Sequence, residues 1–275
     1  MEKWEIQGKN ILITGGASGL GAAYVEVFLK EGAEKIAILD IAEAIGKKFV
    51  EKLNQTYKDK VIFIKCDVGK EDDVTNAFDQ VLDQFKRIDV IINNAGIMND
   101  APNVWRTAND VNWNGTVSFT MKGIQHMRKD EGGQGGTIIN VSSVAAFINI
   151  SILPIYCGSK SAVLHFGRTI SSPEFISDSG IRILTICFGA TDTPLLHELE
   201  RKSFDTKTST TLLASAPPLY EQKVESAVNG FIKMYHEGTP GSIWFSGNDK
   251  PVQDITSAIE AAFQQIITLM MPDGL

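Results

Sequence analysis

The sequence predicts a single doubly wound α/β domain over residues 1–275, built on a seven-stranded parallel sheet with helices on both faces. Three observations carry that expectation. Short, nearly unbroken apolar runs alternate along the chain with longer stretches of helical period. Strands buried on both faces read this way because each crossover lays a helix on the sheet. The first apolar run leads straight into a glycine-rich turn that opens a helical pattern, and no repeat or linker breaks the alternation.

The elements follow in order. Asn10-Ile-Leu-Ile-Thr14 reads as the first strand. A helix from about Gly19 to Gly32 is apolar at Leu20, Ala23, Val27 and Phe28, and Gly32 suits its C-terminal cap. Residues 35–40 form the second strand, 42–57 the second helix and 61–66 the third strand. Glu71 to Phe85 is a third helix, with Asp72 and Asp73 where the helix dipole favours negative charge. Residues 89–93 form the fourth strand, and a helical stretch covers 104–127. Gly132-Gly133-Gln134-Gly135-Gly136 precedes a strand instead of joining strand to helix, so it is a loop and not a phosphate cradle. Strands at 137–142, 181–187 and 242–246 complete the seven, with helices at 155–170 and near 221–236. The polar segment of about 190–220, ending in Pro217-Pro218, reads as a mobile flap over a site, although a plain surface loop has the same composition. Residues 252–271 are amphipathic, apolar at Ile255, Ile259, Phe263 and Ile267, and suit packing on the body or on a partner subunit.

Composition narrows the function. With 43% hydrophobic and 21% charged residues, 275 residues can bury a full core without staples. A net charge of -7 and the lack of a basic run argue against nucleic acid and anionic lipid as partners. No apolar run approaches the roughly 20 residues of a membrane span. Cys66, Cys157 and Cys187 are odd in number and scattered, so neither a disulfide frame nor a metal site is expected. Cys66 and Cys187 read as buried thiols, whereas Cys157 adjoins Tyr156 and is a candidate for oxidation. No secretory leader pattern opens the chain, and the expected compartment is the cytoplasm.

Thr14-Gly15-Gly16-Ala17-Ser18-Gly19-Leu20-Gly21 joins the first strand to the first helix. Gly15 permits the tight turn, Gly19 lets backbone approach a pyrophosphate at the helix N-terminus, and Gly21 lets helix and strand pack closely. Ser18 and Leu20 lie in the same cradle. Asp40 ends the second strand, 19 residues after Gly21. A carboxylate there accepts from ribose hydroxyls and repels a 2′-phosphate. No cation stands at Ala17, Ser18 or Ile41, so NAD is expected over NADP. Asp67 and Val68, after the third strand, are placed for the adenine edge and face. Asn94, Ala95 and Gly96, after the fourth, allow backbone to run beside the cofactor.

Tyr156 and Lys160 are four residues apart, on one helical face, and Ser143 lies thirteen before Tyr156. An ammonium beside a phenol favours the phenolate, so Lys160 is expected to pull the Tyr156 pKa down toward working pH and make it a general base. A serine hydroxyl then holds the substrate oxygen. Taken alone, a tyrosine and lysine at this spacing are ordinary helix residues; the glycine-rich turn and Asp40 give them their context.

Together these pieces resemble the short-chain dehydrogenase/reductase family over nearly the whole chain. The matching text is T-G-G-A-S-G-L-G at 14–21, Asp40, C-D-V at 66–68, N-N-A-G at 93–96, V-N-W-N-G at 111–115, V-S-S at 141–143 and Y-C-G-S-K at 156–160. The resemblance implies a Rossmann fold and a catalytic set of Asn112, Ser143, Tyr156 and Lys160. Asn112 would bend its helix and hold, by its carbonyl, a water serving Lys160, with Asn114 the rival for that role. Lys160 would also hold the nicotinamide ribose. Gly189, Thr191 and Thr193 fall where the family contacts its cofactor. Phe188 stands where the family usually has proline, so the turn facing the nicotinamide is expected to differ. P-I-Y-C-G-S-K at 154–160, G-G-Q-G-G-T-I-I-N-V-S-S at 132–143 and the later G-S-I-W resemble NAD-dependent 15-hydroxyprostaglandin dehydrogenases and insect-type alcohol dehydrogenases. The implied activity is hydride transfer between an alcohol, or its ketone or aldehyde, and NAD in a homodimer or homotetramer. Apolar Phe147, Ile148, Ile150, Ile152 and Leu153, with Leu195, Leu196 and Leu199, point to an apolar or lipid-like substrate. The alternative is a catalytically silent NAD-binding sensor or scaffold on the same fold.

Overall fold

The computed structural model describes residues 4–215 and 220–271. All seven expected strands form: β1 (Asn10–Thr14), β2 (Lys35–Asp40), β3 (Val61–Lys65), β4 (Val90–Asn93), β5 (Gly136–Ser143), β6 (Ile181–Phe188) and β7 (Ile243–Ser246). The sheet corrects the expected count, because it has eight strands in the order β3-β2-β1-β4-β5-β6-β7-β8. β8 (Gln253–Asp254) runs antiparallel to β7, while every other pair is parallel. Asn248 and Asp249 adopt positive φ just after β7 and turn the chain back for this edge pairing. Two exposed polar residues carry no periodic signal, so the strand is invisible in sequence.

Helices cover both faces: α1 (Gly19–Lys30), α2 (Glu43–Asn54), α3 (Glu71–Phe85), α4 (Trp105–Asn109), α5 (Thr116–Met127), α6 (Pro154–Ile170), α7 (Pro173–Ser179), α8 (Thr206–Ser215), α9 (Val224–Glu237) and α10 (Thr256–Met270). The stretch expected as one helix over 104–127 is α4 and α5 joined by a π-helical turn, Asp110–Gly115. α7 and α8 are additions to the expected set. α8 lies within the stretch expected as a flap, together with short turns at Pro194–Leu196 and Leu199–Lys202; residues 216–219, including Pro217 and Pro218, lie outside the described residues.

Alternation along each strand splits the core. Ile11, Ile13, Ile36, Ile38 and Ile92 face α1 and α9, where Tyr24 stacks on Phe231 at 4.0 Å and Phe28 meets Tyr235 edge-on. Leu12, Ala37, Leu39 and Ile91 face α3 and α5. Each large side chain so buried contributes about 1.5–3 kcal/mol. Strand order reverses between β1 and β4, which leaves a crevice at the carboxyl ends of the strands. α10 lies against α6, where Arg168 forks onto Glu260 at 2.6 and 2.8 Å and Phe263 lies beside His165. No helix among the described residues is long and apolar enough to cross a membrane.

Candidate active site

A cleft of about 860 Å³ opens at that crevice. Gly15, Ser18, Gly19, Leu20, Gly21, Asp40, Ile41, Asp67, Val68, Asn94, Ala95, Gly96, Ser143, Tyr156, Lys160, Gly189, Thr191 and Thr193 all line it. Of the expected catalytic and cofactor residues, Asn112 alone does not.

The cradle at the N-terminus of α1 fits a dinucleotide. Gly15 and Gly19 have φ of 64° and 54°, and a methyl added at Gly19 would meet nothing within 4 Å. Ser18 caps no N–H with its side chain, so the amides of the first turn remain available to an anion. Asn94 ties the turn down from β4 by donating to the Thr14 and Gly15 carbonyls, both at 3.0 Å. The Thr14 hydroxyl accepts from the Asn94 and Ala95 N–H groups at 3.1 Å each. Asp40 accepts from Ala17 N–H at 3.0 Å and Ala42 N–H at 2.9 Å. Each of its oxygens keeps acceptor capacity for a ribose hydroxyl. Asp67 is more committed, accepting from Gly69 N–H at 3.1 Å while pairing with Lys70 at 3.3 Å.

β5 and α6 meet at the centre of the cleft. Ser142 points away and donates to the Lys160 carbonyl at 2.8 Å, as a structural serine would. Ser143 lines the cleft, accepting from Ala145 N–H at 3.1 Å, and its side chain lies near enough to the Tyr156 phenol to favour its ionised form. The Lys160 ammonium donates to the Val141 carbonyl at 2.9 Å and sits 5.8 Å from the Tyr156 ring centre.

The electrostatics correct one expectation. Burial pushes the Tyr156 phenol up to about 12, against the lowering effect of the Ser143 hydrogen bond. Burial also pushes Lys160 down to about 8. Both side chains are nearly inaccessible, so each pays to ionise before attraction between them counts. Lysine alone therefore does not bring the phenol to working pH.

Asn112 stands in the π-helical turn between α4 and α5. Its side chain accepts from Ile97 N–H at 2.7 Å and donates to the Ile97 carbonyl at 2.8 Å and to Ser159 at 3.2 Å. It thus ties the loop after β4 to α6. Its backbone carbonyl accepts from the Thr116 hydroxyl at 2.9 Å. Asn114 is spent on Asp110 at an exposed position, which removes it from the site.

The far end of the cleft is apolar. Ile148, Ile150, Ile152 and Leu153 line it from one side and Leu195, Leu196 and Leu199 from the other. Phe147 does not line it. Sequence reasoning missed Ile97 and Met98, in the loop after β4, and Thr107, in the short α4, which complete the wall. It also missed Gln222, fully buried, which donates to the Thr191 hydroxyl at 2.9 Å and the Ser246 carbonyl at 3.0 Å. Phe188 is buried in the main core, and its carbonyl accepts from Ser143 at 3.3 Å.

The family model described as short chain dehydrogenase matches residues 9–203. The chain belongs to that family. It is 35% identical over 198 residues to 15-hydroxyprostaglandin dehydrogenase [NAD(+)] of Mus musculus, covering 72% of each chain. It is 31% identical over 245 residues to alcohol dehydrogenase 2 of Ceratitis capitata, covering 85% of this chain and 93% of that one. Among solved structures, a 3-ketoacyl-(acyl-carrier-protein) reductase from Brucella melitensis complexed with NADH superposes with a TM-score of 0.71 at 24% identity, over 88% of this chain and 97% of that one. That last likeness speaks to the fold alone.

Proposed function

We propose that this short-chain dehydrogenase oxidises a neutral, apolar alcohol with NAD, Tyr156 acting as the general base. One observation carries the reading: Ser143, Tyr156 and Lys160 meet where the glycine-lined end of a single cleft joins its apolar end. Bound NAD supplies the hydride acceptor and, in its oxidised form, a positive charge at the nicotinamide. The chain's own residues do the rest. Asp40 and the α1 cradle orient the dinucleotide and disfavour a 2′-phosphate. Ser143 holds the alcohol oxygen. Tyr156 takes its proton, and Lys160, with N–H groups left beyond its bond to Val141, steadies the phenolate and holds the ribose. Asn112, through its backbone carbonyl, supports the proton path from Lys160.

Charge refines the substrate. Lys160 is the only Lys or Arg among the described residues lining the cleft, and the undescribed segment 216–219 is Ala-Pro-Pro-Leu. A substrate carboxylate inside the apolar end would lie without a partner, which is costly. A neutral tail suits Ile150, Leu153 and Leu196. The working form in this proposal is a homodimer or homotetramer in the cytoplasm.

The test is NADH absorbance on a panel pairing neutral secondary alcohols with hydroxy acids of equal length, with NAD and NADP side by side. Neutral alcohols with NAD are expected to lead. Tyr156→Phe is expected to lose turnover by about 10²–10⁴-fold, the usual worth of a general base, with NADH binding kept. A Phe variant that turns over at the wild-type rate rejects the base, and a preference for hydroxy acids rejects the substrate class. A protein that binds NADH but oxidises nothing on the panel is instead the silent sensor.

A further inference from the structure

The first turn of α6 carries Tyr156, yet nothing local caps it. Leu153 occupies the N-cap position, makes no side-chain bond, and is buried in the cleft wall. The cap comes from 55 residues away. Asp100, in the loop after β4, is 1% exposed. Its Oδ2 accepts from the Ile155 N–H at 2.6 Å and its Oδ1 from the Tyr156 N–H at 3.0 Å. A buried carboxylate is costly unless hydrogen-bonded, and the positive end of a 17-residue helix is the place that offsets the cost. The same residue reaches a third element. Its backbone N–H donates to the Lys202 carbonyl at 2.7 Å, closing the turn Leu199–Lys202 whose Leu199 lines the apolar end. A serine or aspartate at 153 could cap the helix, but it would put a polar group in the apolar wall.

We propose that Asp100 is a positioning residue: its carboxylate fixes the backbone beneath Tyr156 while its N–H fixes the turn that walls the substrate end. Base and wall are thereby held to one point. Asp100 does not line the cleft and touches no substrate. The inference rests on the reading of Tyr156 as the base.

The test compares Asp100→Ala and Asp100→Asn in the full chain, beside Tyr156→Phe. Three quantities are read: kcat with NAD and the fastest alcohol of the panel, NADH affinity by fluorescence, and amide hydrogen exchange of residues 155–157. Asp100→Ala is expected to lower kcat by about 10–100-fold, the scale of a misplacement near 1 Å. NADH affinity should stay within about twofold and exchange should quicken by about tenfold, the loss of one cap. Asp100→Asn keeps an acceptor oxygen and is expected to recover most of both losses. Wild-type kcat and exchange in Asp100→Ala overturn the proposal, as does an Asn variant as damaged as Ala. Equal loss of kcat and NADH affinity also overturns it, since that marks general unfolding. If Ala fails to fold, Asn alone decides, because wild-type exchange with a large fall in its kcat would also contradict the capping role. Should Tyr156→Phe keep its activity, the base assignment fails instead; the exchange result still reports on the anchor.

Discussion

Gly21→Ala probes the cofactor end with a magnitude read from contacts. A methyl at Gly21 would lie 2.2 Å from the Gly15 carbonyl oxygen and 2.8 Å from Asn94 Nδ2. The first is backbone, so no side-chain rotation relieves it, and the chain at Gly15 must retreat by roughly 1 Å. Overpacking of this kind costs about 1–3 kcal/mol. The retreat also strains the hydrogen bond from Asn94 to the Gly15 carbonyl, at 3.0 Å, worth about 1 kcal/mol. The sum is about 2–4 kcal/mol, spread between stability and the shape of the anion cradle. The assay is thermal melting with and without NADH, together with a fluorescence titration of NADH. A lower Tm and an affinity weakened by at least tenfold are expected, the latter corresponding to about 1.4 kcal/mol. A variant with wild-type Tm and wild-type NADH affinity would refute the claim that this glycine is required by close packing of α1 on the turn.

Two further perturbations reach other parts of the site. Lys160→Met should change how stability depends on pH: burial lowers this lysine to about 8 from its ordinary 10.5, so the folded chain binds fewer protons than the unfolded chain between those values. Wild-type stability should therefore gain on that of the Met variant as pH rises from about 8 to 10.5, by about 3 kcal/mol; denaturant titrations at pH 7.5 and 10 that show a constant difference would contradict it. Phe188→Pro restores the family's usual residue but removes a buried ring from the main core, at about 3 kcal/mol. A clear fall in Tm is expected, and an unchanged melting curve would mean that Phe188 is not a packing residue.

What sequence revealed depended on how local the signal was. β1, β2 and α3 appear with the expected ends because isoleucine-rich runs and an acidic first turn are local facts. α7 had a local signature that went unread: Ser172 accepts from Phe175 N–H, Pro173 opens the helix and Gly180 closes it in left-handed backbone. α8 offered little, since Thr206–Ser215 is rich in threonine, a weak helix former. Every cofactor residue named from the glycine-rich turn and strand ends does line the cleft, because strand ends in a doubly wound sheet converge there. Asp100 and Gln222 were illegible. Each acts on partners 24 or more residues away, and neither belongs to a periodic pattern or motif.

The two perturbed groups in the centre of the site point to a division of labour that spacing alone did not suggest. With burial raising Tyr156 to about 12 and lowering Lys160 to about 8, the phenol is neutral at neutral pH and the lysine beside it is still largely protonated. Burial governs both values, and it acts in opposite directions on an acid that ionises to an anion and on a cation that ionises to a neutral amine. An additional positive charge entering the cleft would favour the phenolate and would press Lys160 further toward its neutral form. The same burial strengthens that charge's effect, because a low dielectric magnifies every interaction within it. On the proposed mechanism, Tyr156 would become a base in response to a cation bound beside it. On this argument the apolar walls at Leu153 and Leu196 serve chemistry as well as substrate fit, since they sustain the burial that makes Tyr156 depend on its neighbours' charge.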